Sequence, residues 1–316
     1  MGIVIDGCPA GLSLTEEDLL PDLERRKGGK QKGTTPRQEA DYPFFKSGLF
    51  NGKTTGAPIT IIFDNKNIRS SDYEKQRSIP RPGHADWVAH QKYGGNEDYR
   101  GGGHFSARLT TGLVAAGAIA KKIMGEGVSI ISAVTEIGGE SDLEKGLQKA
   151  IDAKDSVGGI VECRVSGLPV GLGEPFFDSV ESHIAHIAFA IPAVKGVEFG
   201  SGFAAAKMFG SQHNDAIENM EGKTRTNHAG GIVGGITNGN ELVFRISIKP
   251  TASTPKEQNS LNWDSGKVET FSIKGRHDLC VALRAPVILE AATAVALVDL
   301  FLLEQHSNRV INHRKD

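Results

Sequence analysis

What is scarce in this chain narrows its class before any motif is read. Cysteine is rare: Cys8, Cys163 and Cys280 are the three in 316 residues, far apart and without a Cys-x-x-Cys pair. An odd, scattered set builds neither a disulfide framework nor a thiolate zinc site, and a reducing cytoplasm suits it. A basic excess is missing. The formal net charge is −2, which argues against general nucleic-acid binding, because affinity for a phosphate backbone rests on clustered positive charge. No stretch approaches the ~20 apolar residues that cross a bilayer, and the N-terminus shows no basic leader followed by an apolar core. A membrane partner is therefore not expected. Common nucleotide and nucleophile signatures are missing too: there is no P-loop, no Gly-x-Ser-x-Gly elbow and no Gly-x-Gly-x-x-Gly after a strand. His183 and His186 stand three apart on a helical stretch but lack further ligands nearby, so no metal is expected.

Glycine, by contrast, is abundant: 39 residues, about 12% against a usual ~7%. The glycines gather in turns such as Gly28-Gly29, Gly94-Gly95, Gly101 to Gly103, Gly230-Gly231 and Gly234-Gly235. Between them the apolar pattern predicts strands over Met1–Asp6, Phe44–Asn51, Ala57–Phe63, Val128–Ile137, Ile160–Val165, Leu242–Ile248 and Val268–Ile273. Helices are expected from Thr15 to Lys27, over Leu113–Met124, Leu143–Lys154 and Val180–Ala190, and in the long apolar run Ala285–Leu303. One pattern occurs twice. Asp6-Gly-Cys-Pro-Ala-Gly-Leu-Ser and Ser166-Gly-Leu-Pro-Val-Gly-Leu-Gly each follow a β-branched strand and precede an amphipathic helix. Two related halves packed as one domain over residues 1–316 are expected.

The stretch from Arg81 to Arg108 concentrates the chemistry. It holds His84 and His104, Arg81, Arg100 and Arg108, and the run Gly101 to Gly103. Glycine lets backbone approach a ligand, arginine grips phosphate or carboxylate through a planar fork, and histidine moves protons near neutral pH. The glycine turn is expected at or near the N-terminus of the helix that follows, where anions are favoured. The basic stretch Lys30 to Arg37 reads equally as a solvated loop or as a lid. Any one histidine is at least as readily a structural hydrogen-bonder as a catalyst. The pairing of arginine or histidine with glycine turns recurs at His228 and at Arg276-His277-Asp278, and that recurrence points to an anionic substrate or a cofactor phosphate.

At these residues the sequence resembles the chorismate synthase family. The motifs are Arg81-Pro-Gly-His-Ala-Asp86, Tyr99-Arg-Gly-Gly-Gly103 with Ser106-Ala-Arg108, Ala115-Ala-Gly-Ala-Ile-Ala120, Gly171-Leu-Gly-Glu-Pro175, Val194-Lys-Gly-Val-Glu198, Asn227-His-Ala-Gly-Gly231, Lys249-Pro-Thr251 and Gly275-Arg-His-Asp278. They run in order along nearly the whole chain. The resemblance implies an α+β sandwich, with helices between antiparallel sheets and pseudo-symmetric halves. It implies a cytoplasmic homotetrameric lyase of the shikimate pathway that forms chorismate and phosphate from 5-enolpyruvylshikimate 3-phosphate by anti-1,4-elimination. Reduced FMN is the cofactor it implies, with an external flavin reductant and NADP among the associated cofactors.

Residue by residue, the resemblance implies that His84 and Asp278 are catalytic. Arg26, Lys32, Arg81, Arg108 and Arg284 would hold substrate anions. His104, Phe105, Ser106, Pro192, Ala193, Gly234, Lys249, Pro250, Thr251, Ala252, Ser253 and Arg276 would hold the flavin. His104-Phe105-Ser106 stands where many members have Arg-Ser-Ser. The family opens with a strand and a Gly-Glu-Ser-His motif that lie upstream of Met1-Gly-Ile-Val-Ile. An N-terminally shortened form of an active enzyme is the expectation. The rival readings are an impaired remnant that still binds FMN or assembles, and a flavin-dependent oxidoreductase.

Overall fold

The computed structural model describes residues 1–29, 32–35, 39–64, 77–273 and 277–305. Its first half contains β1 (Gly2–Ile5), α1 (Leu20–Arg26), β2 (Pro43–Ser47), β3 (Leu49–Phe50), β4 (Lys53–Thr54), β5 (Ile59–Phe63), α2 (Asp86–Tyr93) and α3 (Thr110–Met124). The second contains β6 (Ser129–Ile137), α4 (Leu143–Ala153), β7 (Gly159–Ser166), α5 (Val180–Ala188), β8 (Val194–Phe199), β9 (Ile232–Val233), β10 (Ile236–Thr237), β11 (Leu242–Ile248), β12 (Gln258–Asn262), β13 (Lys267–Phe271) and α6 (Ala285–Gln305).

Two antiparallel sheets, β1-β5-β2 and β6-β7-β11-β8, enclose the helices. Helix α3 lies against β1, α6 lies against β6 and β7, and the two helices pack on each other along their length. This is the α+β sandwich the resemblance implies. The small residues of α3 set how close the helices come: a Cβ built on Gly117 would stand 2.3 Å from both Cα and Cβ of Ala291. Gly117→Ala is therefore expected to cost at least about 1–3 kcal/mol through overpacking. Gly127, where an added Cβ meets nothing within 4 Å, is the neutral control. Denaturant unfolding of the two variants checks the difference.

The expectation that no run is long and apolar enough to cross a bilayer fails for the segment Val281–Gln305, which meets both conditions. The physical reason is its place at the centre of the sandwich. Ile288, Leu289, Ala291, Ala292 and Leu297 of α6 are buried in the core, so the apolar run faces protein on nearly every side.

The repeated sequence pattern is a repeated structure. Around Pro9, Gly11 N donates to Thr54 O at 2.8 Å, Leu12 N to Thr54 Oγ1 at 2.9 Å, and Thr54 Oγ1 to Pro9 O at 2.6 Å. Around Pro169, Gly171 N donates to Thr237 O at 3.0 Å, Leu172 N to Thr237 Oγ1 at 3.0 Å, and Thr237 Oγ1 to Pro169 O at 2.7 Å. Each threonine ends a two-stranded hairpin, β3-β4 or β9-β10, in the same register. The two halves thus share one hydrogen-bonded knot.

Several boundaries differ from expectation. Phe44–Asn51 splits at Gly48, which has φ +82° and whose added Cβ would meet Ile59 at 2.6 Å. The Thr15 start gives only a short 3-10 turn, in which Thr15 N donates to Asp18 Oδ2 at 2.8 Å, before α1 begins at Leu20. Helix α2 and strand β12 lack clear apolar periodicity. The glycine turn is not at the start of α3. Residues Arg100–Phe105 form a 3-10 turn, and a second short turn follows before Thr110.

Candidate active site

The glycine turn faces His84 instead. A Cβ on Gly102 would lie 3.5 Å from His84 Nε2, in ordinary contact, and it is the φ of +85° that favours glycine at this turn. His84, Arg81, Gly102, His104 and Phe105 line a cavity of about 330 Å³ whose far wall is Trp263. That tryptophan stacks on His90 at 4.6 Å between ring centroids. Asp86, the first residue of α2, ties the group together. Its carboxylate accepts from Arg81 Nε at 2.7 Å and Nη2 at 2.8 Å and lies 2.6 Å from His84 Nδ1. Burial would raise the Asp86 pKa. Hydrogen bonds from Arg81 and His84 outweigh it and hold the carboxyl far below the usual range.

The loop after β11 closes on the same group. Ser253 Oγ accepts from Arg81 Nη1 at 3.2 Å, and Lys249 Nζ donates to Gly83 O at 2.7 Å. Burial lowers the Lys249 pKa and Lys195 adds to it. Lys249 N also donates to Ala193 O at 2.9 Å. Ala193 has φ +75°, a left-handed conformation that is uncommon without glycine. That geometry brings Pro192-Ala193 beside the loop. Pro250 packs near Gly158, and Ala252 is half-buried. Thr251 Oγ1 is buried with no hydrogen-bond partner.

A second cluster adjoins the first. Arg26, Arg108 and Arg284 converge around Asp41 and Asp278. Arg26 meets Asp41 at 3.3 Å, Arg108 meets Asp41 at 3.0 Å, and Arg284 meets Asp278 at 3.1 Å. Arg284 Nε also donates to Arg26 O at 3.2 Å, and Asp278 Oδ1 accepts from Thr35 N at 2.8 Å. Burial pushes the Arg26 pKa down to about 10, helped by Arg284 and Arg108 and opposed by Asp41. Arg108 Nε is buried without a hydrogen-bond partner. His277 joins the clusters electrostatically. Burial lowers its pKa, Arg81 and His84 lower it further, and Asp278 opposes them.

Most of the expected residues therefore share one neighbourhood. Ser106 belongs to it, with Oγ accepting from Arg108 N at 3.3 Å, and His104 packs edge-on against Tyr93. Two residues stand apart. Lys32 points toward α4, where its Nζ donates to Gln148 at 3.1 Å. Gly234 turns the β9-β10 hairpin, next to Gly235 at the N-terminal end of α5, whereas Pro192-Ala193 lies beyond the helix's other end. Arg276 lies outside the described residues, as do 30, 31 and 36–38 of the basic stretch. His228 serves the fold: its ring lies 2.8 Å from Ser201 Oγ, and its backbone N donates to Asp215. His183 lies 3.7 Å from Asp178, and among the described residues no three potential metal ligands come together. Asp41 and the Trp263–His90 wall were not singled out from sequence. Asp86 was quoted within a motif, two residues after His84, but without a role.

A family model described as chorismate synthase matches residues 1–302. The chain belongs to the chorismate synthase family. The chorismate synthase of Chitinophaga pinensis is 69% identical over 313 residues, covering 99% of this chain and 94% of the relative. That of Dehalococcoides mccartyi strain BAV1 is 44% identical over 341 residues, covering 98% and 94%. A crystal structure of chorismate synthase superimposes with a TM-score of 0.70 at 27% identity, over 96% of this chain and 88% of that one. Membership in the chorismate synthase family makes the chain an enzyme, of the lyase class, and the two adjoining clusters are its candidate centre.

Proposed function

We propose that the protein converts 5-enolpyruvylshikimate 3-phosphate to chorismate and phosphate, using reduced FMN, at the site formed by the two clusters. The observation that carries this is the convergence of Arg26, Arg108 and Arg284, with Arg108 Nε buried and unpartnered. A buried donor without a partner is costly, and an anionic substrate bearing a phosphate and two carboxylates supplies what it lacks. The flavin reading is supported by a comparable feature. Thr251 Oγ1 is buried and unpartnered in the loop that carries Lys249 and Ser253, and His84 and the glycine turn line one cavity.

When bound, reduced FMN would supply electron density as the phosphate leaves, which the reaction needs because the C–H bond to be broken is not acidic, with no net redox change. The residues of this chain do the rest. Arg108 and Arg284 orient the substrate through its anions. The ester C–O bond breaks with departure of phosphate, and a C–H bond in 1,4 relation breaks on the opposite face. Asp278 is the carboxylate that takes the proton, and His84 exchanges a proton through Nε2, at the ring edge facing the glycine turn. Lys249, Thr251, Ser253 and Ser106 would hold the flavin.

Anaerobic turnover with chemically reduced FMN tests the reading. One phosphate per chorismate with no net consumption of reductant is expected. Stoichiometric loss of reductant would mark an oxidoreductase, and flavin binding without turnover would mark an inactive remnant.

A further inference from the structure

We infer that Asp86 is the positioning residue that fixes His84 in one tautomer, with the proton on Nδ1 and the lone pair on Nε2. The inference deepens the proposed function, and rests on it only where activity is the readout.

The donor inventory around the ring leaves one consistent assignment. An ionised carboxylate only accepts hydrogen bonds, and a guanidinium only donates them. Asp86 Oδ1 lies 2.6 Å from His84 Nδ1, so that nitrogen carries a proton. Arg81 Nη2 lies 2.9 Å from Nδ1 and 3.2 Å from Nε2, so near both that it sits over the ring face, in line with neither lone pair. Asp86 alone therefore selects the tautomer: in the neutral ring the one proton is on Nδ1 and the lone pair on Nε2. Asp86 is itself immobilised: Arg81 N, Nε and Nη2 all donate to its carboxylate, at 3.0, 2.7 and 2.8 Å. Its position at the first residue of α2 adds the favourable field of a helix N-terminus. The ring is thus oriented from its Nδ1 side, and Nε2 faces Gly102. Any proton exchanged with a bound ligand passes through Nε2. A carboxylate that orients a histidine in this way acts through tautomer and ring position, without being protonated itself.

The test has a spectroscopic arm and a kinetic arm. Long-range ¹H–¹⁵N correlations on histidine-labelled native protein, titrated until His84 is neutral, are expected to show the proton on Nδ1. In Asp86→Asn the side-chain amide can donate to Nδ1, and the proton is expected to move to Nε2. The same variant is expected to lose about 10²-fold in kcat, with KM changed by less than about threefold. A native His84 protonated on Nε2 would overturn the inference whether or not the variant folds. So would a folded variant with native kcat and a raised KM, because Asp86 would then serve only Arg81. Native protein that shows the Nδ1 proton but forms no chorismate would support the Asp86 pairing while overturning the proposed activity.

Discussion

Replacing His84 with alanine is expected to lower kcat about 10²–10⁴-fold, the range that removal of one proton-transferring side chain commonly costs. The fold should survive the change, because Asp86 keeps its three hydrogen bonds from Arg81 and no charge is left buried alone. KM should move little, since the substrate's anions are assigned to Arg108 and Arg284 in the neighbouring cluster. His228→Ala is the matched control. It too removes a half-buried, hydrogen-bonded histidine beside glycines, but His228 bonds to Ser201 past the Phe199 end of β8. The loop with Lys249 and Ala193 sits at the Val194 end of the same strand. His228→Ala should therefore lower thermal stability and leave kcat close to native. Steady-state kinetics with excess reduced FMN, alongside thermal unfolding of both variants, separates these outcomes. A native kcat in His84→Ala would remove the histidine from the chemistry.

The contrast between those two histidines shows what could and could not be read from sequence. Both stand beside glycine turns, and only the resemblance to a family distinguished them. The strands and helices with strong apolar period were legible, Leu242–Ile248 to the residue. The repeated Gly-x-Pro-x-Gly turn was legible as well, although the threonines that tie it, Thr54 and Thr237, lie far along the chain from each turn. Helix α2 was not, because Trp87 and Val88 are exposed and the helix owes its place to Asp86 and its neighbours more than to an apolar face. Asp41 was invisible for a related reason. Its role depends on Arg26 and Arg108 arriving from α1 and from the short turn before α3, and no local pattern encodes a meeting of three distant segments. The same holds for the separation of Gly234 from Pro192-Ala193: the motifs give their order along the chain, and the length of α5 decides their distance in space.

Glu290 is the clearest case of a residue whose importance only the fold reveals, and its network gives the largest expected loss of stability. It sits in the apolar helix α6, 2% exposed. Its carboxylate receives Arg25 Nη1 and Nη2 at 2.7 Å each, Lys121 Nζ at 3.1 Å and Ser132 N at 3.0 Å. One acid thereby fastens α1, α3 and β6 to the central helix. The two sides of this network are not equivalent. Arg25 is half exposed, so when Glu290 is removed the cations can turn to water. Glu290→Ala then costs about 1–3 kcal/mol, mainly for the Ser132 N–H left without an acceptor. Removing Arg25 and Lys121 together strands a carboxylate in the core, and the expected loss is about 3–5 kcal/mol. The double variant must either bury that charge or take up a proton on folding. Proton uptake makes stability rise as pH falls, so its deficit should shrink between neutral and mildly acidic buffer. The deficit of Glu290→Ala has no such remedy. Denaturant unfolding of the three proteins at two pH values reads out both the order of the losses and their different response to acid.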